Sequence, residues 1–170
     1  MSQDEKLIFR EQVRPDDAAV VRGIVTSTGF FHDHEVAVAV ELVEERLEKG
    51  TDCGYLFLFA EQAGHTVGYC CYGEIPCTAG SFDLYWIVVH DSCRGRGIGG
   101  LLMGETERRI AGLGGRAIWV ETSSQEKYLP TRQFYLRYGY QEEALLKDFY
   151  AAGDDKVIYA KHLDATWSKK

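Results

Sequence analysis

Two repeats of apolar positions alternate along the chain, and each change of period marks a new element. Leu7–Val13 alternates as a first strand. Pro15-Asp16-Asp17 then opens a helix with carboxylates in the favourable first turn, so residues 16–28 read as helical. Residues 35–49 form a second helix: Val36, Val40, Val43 and Leu47 recur at helical spacing, and Gly50 supplies the stop. Tyr55–Ala60 is a short apolar run with the length of a buried strand, and Gly64 turns it into a partner strand, His65–Ile75. A loop, Pro76–Ser81, leads to the strand Phe82–Val89.

Helical spacing returns over residues 97–113, with Ile98, Leu101, Leu102 and Ile110 expected toward the core and Gly112-Leu113-Gly114-Gly115 at the end. Ala117–Thr122 is another strand. Pro130 starts a short helix that closes at Gly139. Two last strands, Tyr140–Tyr150 and Lys156–Leu163, are joined by Ala151-Ala152-Gly153-Asp154-Asp155. The order β-α-α-β-β-β-α-β-α-β-β predicts an α/β chain of the α+β type. Consecutive strands at both ends imply antiparallel pairs, and the strand-helix-strand between them a parallel one. The sheet is therefore mixed and largely antiparallel, flanked by helices.

With 170 residues the chain is expected to fold as one domain, 1–170. A net charge of -7 argues against nucleic acid as a partner, because that binding needs a basic surface. The sequence contains no apolar run long enough for a membrane span, and Met1-Ser2-Gln3-Asp4-Glu5-Lys6 lacks a signal-peptide core. Five cysteines, with no C-x-x-C spacing, fit reduced thiols better than a disulfide or zinc framework. A cytoplasmic protein with neither membrane nor metal partner is expected.

The most informative stretch is His90-Asp91-Ser92-Cys93-Arg94-Gly95-Arg96-Gly97-Ile98-Gly99-Gly100, between an apolar strand and an amphipathic helix. It places backbone N–H groups, the positive end of a helix dipole and two arginines at one spot, as a pyrophosphate requires. Glycines remove the Cβ atoms that would hold ligand oxygens away. Gly95-Arg96-Gly97-Ile98-Gly99-Gly100 satisfies G-x-G-x-x-G, and Glu121 closes the next strand, so a NAD-binding oxidoreductase is a rival reading. Five residues, His90 to Arg94, separate strand from glycine, however, and only one short helix follows Glu121. A P-loop fails because no Gly-Lys-Ser/Thr follows the glycines.

Parsed as Arg94, Gly97 and Gly99 in an Arg-x-x-Gly-x-Gly pattern, the loop resembles that of the GNAT superfamily of N-acetyltransferases. The element order and the later segment Pro130-Thr131-Arg132-Gln133-Phe134-Tyr135-Leu136-Arg137-Tyr138-Gly139-Tyr140 extend the resemblance over nearly the whole length. It implies the GNAT fold and acetyl-CoA as co-substrate, without metal. Backbone groups of Ile87, Val88 and Val89 would hold the pantetheine arm in a gap beside their strand. The pyrophosphate would lie on Arg94, Gly95, Arg96, Gly97, Ile98, Gly99 and Gly100.

The chemistry implied is direct attack of an amine on the thioester in a ternary complex. A strand amide near Val88–Val89 is the expected oxyanion donor, and Tyr135 the expected general acid. For the general base, Glu121 stands first, with Asp83 and Glu74 as alternatives; strand alternation puts Asp83, Tyr85 and Ile87 on one face. Cys93 is not needed as a nucleophile. His32 and His34 lie in the connection between the first two helices, where solvated histidines are ordinary, and Phe30-Phe31 beside them either covers substrate or anchors the loop. The acceptor expected is a small-molecule primary amine. Thr122–Tyr128, with Asp148-Phe149-Tyr150 through Lys161, resembles the bacterial amino-acid or D-alanine N-acetyltransferases. A non-catalytic acyl-CoA-binding module is the competing class, and a homodimer is compatible with the resemblance.

Overall fold

The computed structural model describes residues 6–163, so all but Lys6 of the segment read for a leader, Met1–Lys6, lies outside the described residues. The elements follow the predicted order: β1 Ile8–Arg10, α1 Asp17–Ser27, α2 Asp33–Lys49, β2 Leu56–Gln62, β3 His65–Glu74, β4 Ser81–Val89, α3 Ile98–Gly112, β5 Ala117–Ser123, α4 Leu129–Arg137, β6 Gln141–Ala151 and β7 Asp154–His162. Short 3-10 turns at Gly50–Cys53, Asp91–Cys93 and Glu126–Tyr128 complete it. The seven strands are ordered β1-β2-β3-β4-β5-β7-β6. Of the registered pairs only β4–β5 is parallel, which gives the mixed, largely antiparallel sheet.

Two compact units make up the chain. Of the described residues, the first holds those through Gly73 and Trp86–Thr106; the second holds Glu74–Tyr85 and those from Glu107 on. In the first, α1 and α2 pack their apolar stripes on β2 and β3: Val21, Ile24, Val25, Val36, Ala39 and Val43 meet Phe57, Phe59 and Tyr69. Arg10 anchors β1 beneath this core. Its guanidinium donates to both carboxylate oxygens of Asp17 (2.8 and 2.9 Å) and to Glu61 (2.6 Å), and lies over the Phe59 ring. Asp17, only 1% exposed, also accepts from the Arg14 amide at 2.6 Å. β1 ends at Arg10, short of the Val13 expected.

Two apolar positions expected in the core are outside it. Leu47 is 40% exposed and Leu101 is 58% exposed. Along α3, Ile98, Leu102, Met103 and Ile110 are buried with Thr106. At about 100° per residue, Leu101 falls roughly 130° from the middle of that stripe. His32 caps a helix. Its side chain accepts from the Glu35 backbone, and Glu35 accepts from the His32 amide at 2.8 Å, a capping box that opens α2. Phe31 packs on Trp86, with ring centroids 5.1 Å apart, and so anchors the connection.

In the second unit β5 pairs with β7 over its whole length, and β7 with β6. Alternation on β5 buries Ile118 and Val120 on one face and leaves Glu121 exposed on the other. On the buried face Tyr159, opposite Val120, meets the Tyr135 ring of α4, at 6.0 Å between centroids. No described helix is long and apolar enough to cross a membrane.

Candidate active site

Three local devices shape the segment from Ile87 to Gly100. β3 supplies the first. An added Cβ on Gly68 would stand 2.9 Å from the Val88 carbonyl oxygen and 3.3 Å from Val89 Cα. Only glycine allows β3 and β4 to run this close. The second is a 3-10 turn over Asp91–Cys93, in which Cys93 N–H donates to His90 O and Arg94 N–H to Asp91 O. The Ser92 amide donates to His90 Nδ1, and the Ser92 hydroxyl bonds that same nitrogen at 2.9 Å. Cys93 Sγ meets that hydroxyl. The turn is tied to the end of α1: the Asp91 amide donates to Ser27 Oγ at 3.0 Å, while Ser27 Oγ donates to Ile24 O.

The third device is the loop proper. Gly95 and Gly97 adopt φ of +73° and +78°, which L-residues with a Cβ rarely take, and no atom stands within 4 Å of where that Cβ would be. The α3 ladder begins with the Leu101 amide on Gly97 O, so the amides of Ile98, Gly99 and Gly100 have no acceptor inside the helix. Arg94 is exposed, loosely paired with Asp91 at 3.6 Å, and Arg96 is exposed beside it. Open space in front of glycine backbone, first-turn amides and two guanidiniums fit a diphosphate. The Arg94 amide is committed to the turn, so that residue has its guanidinium to offer.

β4 leads into this stretch from the second unit, where it pairs in parallel with β5, Ser81–Asp83 opposite Ala117–Trp119. Val88 points into the α1–α2 core, 6% exposed, leaving main-chain groups as the chemistry of this stretch.

Glu121 and Tyr135, the expected catalytic pair, belong to the second unit, on opposite faces of its strands. Tyr135 is 6% exposed, on the α4 side, against Phe134, Tyr140 and Tyr159. Glu121 lies on the open side and pairs with Lys156 at 2.5 Å. Asp83 shares that face. Burial first and the Glu121 charge second hold its carboxyl above the usual range, against the opposing pull of Lys156. Glu74 is exposed at the end of β3.

Sequence reasoning missed the wall of this open side. Between the pairs Leu146–Lys156 and Ala151–Asp154, β6 carries four residues where β7 carries one. Asp148 holds the bulge at φ +52°, its amide donating to the Asp155 carboxylate and its own carboxylate accepting from Gly153. The bulge presents Phe149 and Tyr150 to Lys156, whose Nζ lies 3.8 Å from the Phe149 centroid and 5.8 Å from that of Tyr150. Burial, then Glu121, Asp154 and Tyr128, push the Tyr150 phenol up to about 12. Nearby, Asp154 accepts from Ser123 Oγ and from Gln125 Nε2, and Arg132 donates to the carbonyls of Ser123 and Gln125. The run Asp148-Phe149-Tyr150 before a glycine turn is the sequence trace of this arrangement.

Cys70 and Cys71 are sealed in the first unit, and burial pushes the Cys70 thiol up to about 12. Among the described residues no group of three or more His, Cys, Asp or Glu is placed to hold a metal ion.

Residues 53–142 match the acetyltransferase (GNAT) domain family. A solved structure of a GNAT-family protein from Desulfovibrio desulfuricans is 48% identical, with a TM-score of 0.92, covering 94% of this chain and 100% of that one. Two more distant structures share the fold. An aminoglycoside 6'-N-acetyltransferase complexed with coenzyme A is 20% identical, TM-score 0.72, over 92% of this chain and 97% of its own. The ribosomal-protein-alanine N-acetyltransferase of Escherichia coli is 15% identical, TM-score 0.72, over 94% and 95%. No curated protein matches the sequence. With the family match spanning more than half of the chain, and the strand, loop and helix that it needs all in place, this protein belongs to the GNAT family and is an acetyl-CoA-dependent acetyltransferase.

Proposed function

We propose that the enzyme acetylates the primary amine of a small molecule by direct attack within a ternary complex. The observation that carries this reading is the Gly95–Gly100 cradle at the start of α3, open glycine backbone and first-turn amides beside two arginines. Main-chain groups of Ile87, Val88 and Val89 hold the pantetheine arm in this reading, and the Val88–Val89 amides are the natural oxyanion donors. Arg94, Gly95, Arg96, Gly97, Ile98, Gly99 and Gly100 hold the diphosphate by charge and by amide. Acetyl-CoA, when bound, supplies the activated acyl group.

Tyr135 is the general acid of this reading, its Oη–H the donor to the departing thiolate. On the open side the amine must lose a proton. Asp83 suits that role better than Glu121, because its carboxyl is half-buried and raised, whereas Glu121 is committed to Lys156. Glu121 then contributes its field to Asp83. Thiol release measured over a panel of amines tests the reading, beside thermal shifts with acetyl-CoA, CoA and NAD. Acetyl-CoA is expected to stabilise the protein, and at least one small primary amine to release CoA. Stabilisation by NAD alone, or release only with protein acceptors, contradicts it.

A further inference from the structure

The open face of the second unit carries more information than the location of a base. Lys156 Nζ is itself an alkylammonium, and the fold seats it on the Glu121 carboxylate and over the Phe149 ring, with Tyr150 beyond. Carboxylate below and aromatic face above is the combination that holds a primary ammonium. Asp83 adds a second carboxylate to the same face, and Lys156 neutralises only one of the two. The face is therefore anionic overall. Lys156 is just 12% exposed and already partnered, so it is poorly placed to receive an anion. Phe149 and Tyr150, 52% and 47% exposed, leave ring surface uncovered. The bulge held by Asp148 and Asp155 spends four residues on presenting those rings.

From this juxtaposition we infer that the acceptor is an arylalkylamine-type monoamine: a primary ammonium on an aromatic or bulky apolar body, with no carboxylate beside the nitrogen. The inference rests on the proposed N-acetyl transfer and narrows its acceptor. The ammonium approaches Asp83, beside the Glu121–Lys156 pair, and the body lies on Phe149 and Tyr150. An α-carboxylate on the same carbon as the amine would be brought against both acids. The Tyr150 phenol adds no negative charge at neutral pH, because burial and its acidic neighbours keep it protonated.

Two matched pairs separate the contributions of charge and ring. Phenethylamine against L-phenylalanine differs only by the carboxylate, and phenethylamine against ethylamine only by the ring. In thiol-release assays kcat/KM is expected to favour phenethylamine by about tenfold or more in each pair, from like-charge repulsion and from ring contact. Phe149→Ala, a change at an exposed position, is expected to bring the phenethylamine-to-ethylamine ratio to within about threefold of one. KM for acetyl-CoA and the melting temperature should stay unchanged. Equal or better use of L-phenylalanine, or of ethylamine, overturns the inference while the proposed transfer stands. Release of CoA by none of the amines overturns both. If Phe149→Ala leaves the ratio intact and instead changes the oligomeric state in size-exclusion chromatography, the face is a surface for a second copy, and the inference falls.

Discussion

Adding one methyl group at Gly68 tests whether the path of β4 serves catalysis or only the fold. The new Cβ would meet the Val88 carbonyl oxygen at 2.9 Å and Val89 Cα at 3.3 Å, where ordinary contacts begin at 3.4 Å. Both contacts are backbone or next to it, so no side-chain rotation relieves them. β4 must give by about half an ångström, and overpacking of this kind costs about 1–3 kcal/mol. For a chain of this length each kcal/mol lowers the melting temperature by roughly 2–4 °C, so Gly68→Ala should melt about 2–12 °C early. The displaced atoms are those assigned to the pantetheine arm and the oxyanion. A misplacement of about 1 Å can cost about a hundredfold in rate, and half of that points to a loss of about tenfold. Calorimetry, acetyl-CoA titration and thiol-release kinetics on one preparation give the three quantities. Gly104→Ala is the control: an exposed helical position in α3 where the Cβ meets nothing, expected to be neutral or slightly stabilising. A Gly68→Ala enzyme that melts early yet keeps kcat and KM within twofold would refute the role given to Val88–Val89.

Tyr135→Phe keeps the ring contacts to Tyr140 and Tyr159 but removes the proton; kcat should fall by roughly a hundredfold while acetyl-CoA affinity, read by calorimetry, changes little. Arg96→Ala should weaken acetyl-CoA by about tenfold at low salt and flatten the salt dependence of its Kd. Asp17→Asn leaves Arg10 without its bidentate partner in a buried network and should cost about 3 kcal/mol in urea denaturation. If Asp83 takes the proton, it must be ionised to act. Its carboxyl is raised, so kcat/KM should climb with pH through a value above the usual carboxylate range, a limb that Asp83→Asn abolishes.

The strand-loop-helix to which the diphosphate is assigned is legible in the sequence because every part of it is local. Glycines, arginines and the first apolar turn of α3 are neighbours along the chain, and their geometry follows from backbone rules alone. Leu101 misleads because its i, i+3 step reads with the same weight as the i, i+4 steps that set the buried stripe. His32 and Glu35 do spell a cap, three residues apart, in a pattern usually begun by serine or threonine. The order of merit among Glu121, Asp83 and Glu74 is beyond the reach of sequence. It depends on Lys156 lying beside Glu121, a consequence of β5–β7 register, and on a bulge that no periodicity announces. Long-range pairing decides charge states, and spacing along the chain carries little of it.

The hydrogen bond from the Asp91 amide to Ser27 Oγ gives the proposed diphosphate loop a remote reporter. Ser27 closes α1, and its hydroxyl is shared between the Ile24 carbonyl and the turn that leads into the cradle. A ligand that stiffens Asp91–Arg94 stiffens the last turn of α1 with it. Amide exchange in the last turn of α1 will then slow as acetyl-CoA is added, and occupancy can be followed from a helix rather than from the loop.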